Sequence, residues 1–166
     1  MSVPEALLGA REIPTAEAMA DFGRAIGGSL VAGDVLVLTG PLGAGKTTFT
    51  RGLAEGLGVR GPVQSPTFVL ARTHPSLGDG PPLVHMDAYR LGSSAELDDL
   101  DVDVERSVVV VEWGRGLAEG LAEVWWDVEV ERPVGAEEDE AGLPDDELDA
   151  DAPRIVTIRR LSSASG

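Results

Sequence analysis

The stretch VLVLTGPLGAGKTTFTRGLAEGL, Val35 to Leu57, decides the fold. It opens with an aliphatic run that ends in Thr39 and Gly40-Pro41, which reads as a buried strand entering a turn. From Thr47 to Leu57, Phe49, Leu53 and Leu57 recur at i, i+4 and i+8, the stripe of an amphipathic helix, and Gly58 is placed to stop it. Between strand and helix lies Gly40-Pro-Leu-Gly-Ala-Gly-Lys-Thr47, a G-x-x-x-x-G-K-[ST] sequence with no mismatch. Glycines let successive backbone N–H groups turn toward a phosphate with no Cβ in the way. The helix that follows points the positive end of its dipole at the same anion. The expected nucleotide contacts are therefore Gly40, Leu42, Gly43, Ala44, Gly45, Lys46, Thr47 and Thr48. Lys46 reaches phosphate oxygens and the Thr47 hydroxyl is placed for Mg²⁺.

Working outward, TAEAMADFGRAIGGSL carries Ala16, Met19, Phe22 and Ile26 at helical spacing, with Thr15 as N-cap. TFVLA and PLVHM are strand-like runs separated by the loop RTHPSLGDGPP. Ser93 to Glu96 matches a capping box, so a helix is expected from near Ser94, and LAEGLAEV reads as a short helix. SVVVVEW is the most β-branched run and reads as a central strand covered on both faces. WDVEVERP and RIVTIRRL alternate, which predicts two strands exposed on one face. The expected fold is α/β and P-loop NTPase-like, with a mostly parallel central sheet flanked by helices and an antiparallel C-terminal addition.

A metal ion beside a triphosphate usually meets a carboxylate at a neighbouring strand end. Asp87 closes PLVHMD and Glu112 closes VVVVE, and in a parallel sheet both ends lie on the edge that carries the phosphate loop.

Composition sets the limits. A chain of 166 residues reads as one domain, residues 1–166, able to bury roughly 70% of its unfolded surface. The absence of cysteine excludes disulfides, thiolate metal sites and a cysteine nucleophile. The N-terminus has no signal-peptide pattern and no apolar run approaches membrane-spanning length, so a soluble, cytoplasmic protein is expected. The net charge of −16 argues against broad binding to a phosphate backbone. Nine of the acidic residues fall between Glu137 and Asp151, and without them the chain carries about −7. That tract reads as a solvated, disordered loop spanning 136–152.

GPLGAGKTTFTRGLAEGLG, VQSPTF, HMDAYRL and VVVVEWG, taken together and in this order, resemble the TsaE (YjeE) family of small P-loop ATPases. The resemblance spans about Leu30 to Trp113. It implies an ATPase, slow alone and stimulated by partners, that supports threonylcarbamoylation of adenosine 37 in tRNAs reading codons that begin with A. The implied partners are the proteins TsaB and TsaD, which hold the tRNA and perform the transfer. Carried over, the catalytic set is Lys46, Thr67, Asp87 and Glu112, with Thr47 and Glu112 on Mg²⁺. Thr67, in Ser65-Pro66-Thr67, would lie on a loop sensing the γ-phosphate; His85, Tyr89 and Arg90 fit the H-x-D-x-Y-R block and Trp113 follows the metal-site Glu112. From the residues alone, His85 reads as a satisfied core histidine, Trp113 as a packing residue and Arg90 as a surface partner for an acidic helix. A small-molecule kinase and a nucleotide-gated adaptor without turnover remain open as alternatives. No arginine-bearing lid of the kind such a kinase uses is visible past Arg115.

Overall fold

The strand and helix of the opening stretch are present in the computed structural model, which describes residues 5–40, 45–60, 71–87, 104–112, 123–131 and 154–162. The described elements are β1 (Gly9–Ile13), α1 (Ala16–Ser29), β2 (Val35–Thr39), α2 (Lys46–Leu57), β3 (Ala71–His74), β4 (Leu83–Asp87), β5 (Val108–Glu112), β6 (Val124–Glu131) and β7 (Arg154–Ser162). Short 3-10 turns at Glu5–Leu7 and Val104–Arg106 precede β1 and β5. The strands form one sheet in the order β1-β7-β6-β2-β5-β4-β3.

The aliphatic runs of β2 and β5 take interior positions, because only there are both faces of a strand removed from water. Val35 to Leu38 and Val108 to Val111 are at most 1% exposed. β2 pairs in parallel with β5 on one side and β6 on the other, and β5 pairs in parallel with β4. The edges are antiparallel: β7 on β6, β1 on β7, and β3 on β4.

Three expectations change. Antiparallel pairing is not confined to the C-terminus, since β1 and β3 close the two edges of the sheet. The strand at Ala71–His74 begins on the last residue of the expected strand TFVLA and runs on into the stretch read as a loop; Arg72 and Thr73 are exposed, so no apolar residue marks that extension. β6 is not exposed on one face, because Trp125 and Asp127 are buried as well as Trp126, Val128 and Val130. β7 does alternate, with Val156 and Ile158 buried and Ile155 and Thr157 half-buried. Residues 67–70, both expected helices after residue 92 and the acidic tract lie outside the described residues.

Thr15 caps α1 as expected, its side chain accepting the Ala18 N–H at 3.0 Å. Met19, Phe22 and Ile26 of α1 pack with Phe49 and Leu53 of α2 on the sheet face that carries Leu36, Leu38, Val108, Val110 and Leu83. The two helices meet through glycines. A Cβ at Gly23 would overlap the Phe49 carbonyl, at Gly27 the Leu53 carbonyl, at Gly52 the Ala20 carbonyl and at Gly56 the Arg24 carbonyl. Each helix thus presents two glycines four residues apart to the other's backbone. Such contact brings the axes closer than larger side chains allow. On its exposed rim, Arg24 bridges to Glu55 at 2.6 Å.

Candidate functional site

β2 delivers the chain to the C-terminal edge of the sheet, and α2 starts from that edge with Gly45 as its N-cap. Gly45 has φ of +108°, a conformation that a side chain disfavours. No side chain caps the helix, so the N–H groups of its first turn keep their capacity for an external acceptor. Gly40 is required for a different reason: a Cβ there would stand 2.5 Å from the Val130 carbonyl of β6. Its own carbonyl accepts Lys46 Nζ at 2.7 Å.

Register sets the opposing wall. Leu38, Glu112 and Asp87 are in line across β2, β5 and β4, at the strand ends where the loop leaves. Leu83 and His85 share the face that Val108, Val110 and Glu112 share, because residues two apart on paired strands point the same way. This is also the face on which α2 packs. Glu112 is 5% exposed and Lys46 7%, with Glu112 Oε1 and Lys46 Nζ 3.8 Å apart. The second carboxylate oxygen, Oε2, lies 2.6 Å from His85 Nε2, and His85 is fully buried.

A buried cation, a buried carboxylate and an uncapped helix start therefore meet at one sheet edge. The cation and the helix dipole suit a phosphate, while the carboxylate with the half-buried Thr47 suits the outer oxygen set of Mg²⁺. Among the described residues no group of three or more His, Cys, Asp or Glu could hold a metal.

Of the residues expected from sequence, Gly40, Gly45, Lys46 and Glu112 come together here, and Thr47 and Thr48 occupy the first turn of α2. Asp87 is placed by its backbone opposite Glu112. Leu42, Gly43, Ala44, Thr67, Tyr89, Arg90 and Trp113 lie outside the described residues. His85 is a buried core histidine, as read from the residues, and its Nε2 is hydrogen-bonded to the candidate metal carboxylate. The sequence signal was the place of His85 two residues before the strand end at Asp87, whose backbone pairs with Glu112. Thr15 is engaged as the cap of α1.

Fold and site together define a mixed α/β protein in which the start of a helix that follows a central strand is opposed by a strand-end carboxylate. The profile of the family described as "Threonylcarbamoyl adenosine biosynthesis protein TsaE" matches residues 13–139. The tRNA threonylcarbamoyladenosine biosynthesis protein TsaE of Streptomyces coelicolor is 60% identical over 125 residues, 74% of this chain and 84% of the relative. The protein of the same name from Mycobacterium bovis is 51% identical over 133 residues, 75% of this chain and 79% of the relative. The crystal structure of YdiB from Bacillus subtilis superposes with a TM-score of 0.64 at 28% identity, covering 94% of this chain and 86% of that one. The chain belongs to the TsaE family. Among the described residues no helix is long and apolar enough to cross a membrane.

Proposed function

We propose that this chain binds ATP·Mg²⁺ and hydrolyses the nucleotide in support of threonylcarbamoylation of adenosine 37 in tRNA, acting with TsaB and TsaD in the cytoplasm. The observation that carries the reading is the meeting of Lys46, the uncapped N-terminus of α2 and Glu112 at one sheet edge. Lys46 and the first-turn N–H groups bind phosphate oxygens, and Thr47 and Glu112 would hold the metal. Bound Mg²⁺ supplies charge neutralisation for phosphoryl transfer. Burial of Lys46 and Glu112 strengthens their interaction with charge on the nucleotide, because little water competes there. The net charge of −16 favours a tRNA held by the partners rather than by this chain.

Steady-state ADP release with Mg²⁺, for the chain alone and with the TsaB–TsaD pair, tests the reading. The expected result is slow turnover that rises several-fold with the partners and disappears in Lys46→Ala. Repeated rounds of tRNA modification that proceed equally well with Lys46→Ala would overturn it. Stoichiometric phosphorylation of a small acceptor would replace it with a kinase.

A further inference from the structure

His85 is a buried titratable group beside the site that nucleotide binding leaves without a task. It is fully buried on β4, and its Nε2 makes a 2.6 Å hydrogen bond to Glu112 on the adjacent strand. A carboxylate oxygen accepts, so the ring nitrogen donates. The other nitrogen, Nδ1, is buried and makes no hydrogen bond among the described residues. A side chain chosen only for packing would not carry this desolvated, unpaired atom into the sheet.

The donation divides the carboxylate into two different oxygens. Oε2 is fixed by His85, while Oε1 faces Lys46 Nζ at 3.8 Å. That separation is longer than the ~2.7–2.9 Å of a charge-assisted hydrogen bond. Lys46 instead donates to the Gly40 carbonyl at 2.7 Å. A carboxylate free to rotate beside a buried ammonium would close on it, since their attraction is poorly screened away from water. Closing would occupy both groups that the nucleotide and its metal need.

We propose that His85 is a positioning residue that tethers Glu112 through Oε2, holding Oε1 short of Lys46 and available to a metal ion. The inference rests on the ATP·Mg²⁺ reading above and adds to it the group that orients its metal carboxylate. Outer-shell donors of this kind typically change metal affinity by about 10–100-fold when removed.

The test is a Mg²⁺ titration of the binding of a fluorescent, non-hydrolysable ATP analogue to the full chain, in wild type, His85→Leu and His85→Gln, with thermal unfolding of each. In His85→Leu the half-saturating Mg²⁺ should rise by about 10-fold. His85→Gln, whose amide N–H extends as far as Nε2, should restore it. A wild-type Mg²⁺ requirement in His85→Leu would overturn the inference alone. So would equal impairment of His85→Gln and His85→Leu in folded protein, because ring packing rather than the donor would then be the cause. Should His85→Leu not fold, His85→Asn takes its place: its shorter amide leaves Oε2 untethered, so Asn and Gln variants with the same Mg²⁺ requirement overturn the proposal. Wild-type binding indifferent to Mg²⁺ would overturn this inference and the functional reading together.

Discussion

Lys46 Nζ and the Gly40 carbonyl are 2.7 Å apart, so the first residue of α2 and the first residue beyond β2 are tied together. The ammonium is held where both strand and helix point. Replacing Lys46 by Ala removes that tie and the only positive side chain placed against Glu112 among the described residues. ATP turnover should fall by roughly 10²–10³-fold, the loss typical of deleting one preorganised charge stabiliser. Partner-free ADP release in Lys46→Ala and wild type measures it; equal rates would remove Lys46 from the chemistry.

Gly27 of α1 lies against the backbone of Leu53 in α2, whereas Gly28, one residue on, has only the Gly56 carbonyl nearby, at 3.9 Å. Alanine gains about 1 kcal/mol over glycine in a helix interior. At Gly27 that gain is outweighed, because the added methyl meets rigid backbone and forces the helices apart, a type of overpacking that costs about 1–3 kcal/mol. Urea denaturation should therefore show Gly27→Ala destabilised and Gly28→Ala unchanged or more stable. The reverse order would mean that the helices do not meet at these glycines.

Gly58 ends α2 with φ of +83°, its N–H bonded to the Ala54 and Glu55 carbonyls, and a Cβ there would touch nothing within 4 Å. Only backbone strain opposes substitution. Gly58→Ala should lose about 1–2 kcal/mol, and Gly58→Asn less, because Asn tolerates the left-handed region. Equal losses for the two variants would argue for a steric cause instead.

His74 on β3 is 7% exposed, and burial holds its imidazole below the usual 6.5; nearby His85 and Arg72 push the same way, while a hydrogen bond to the Arg60 carbonyl opposes them. Below pH 6.5 the unfolded chain binds a proton that the folded chain does not. Stability should accordingly fall as pH drops from 6.5 toward the lower folded value, and His74 should contribute no slope above 6.5. Denaturation midpoints of wild type and His74→Gln across this window test the sign: the substitution should flatten the slope.

Several features were legible locally. The strand Val35–Thr39, the helix Lys46–Leu57, the stop at Gly58 and the cap at Thr15 all follow from residues within a few positions of one another. The alignment of Glu112 with the loop-bearing strand end also followed, because two parallel strands that end in the same register share an edge. β1 and the part of β3 past Ala71 were not legible. Edge strands are held by hydrogen bonds to one neighbour and need no apolar run, so GAREI and RTH resemble loops until β7 and β4 are beside them.

By itself the sequence determined what depends on short spacing: one strand–turn–helix unit with its glycines and lysine, a β-branched strand ending in a glutamate, and an acidic chain without cysteine. Its four motif blocks also carried the family. Tertiary structure alone decided that β6 lies parallel to β2 while pairing antiparallel with β7, that α1 and α2 touch through glycine backbones, and that His85 fixes one oxygen of Glu112. These three join residues far apart in the chain. Their geometry is set by sheet register and close packing, which sequence periodicity constrains on each element separately but not between elements.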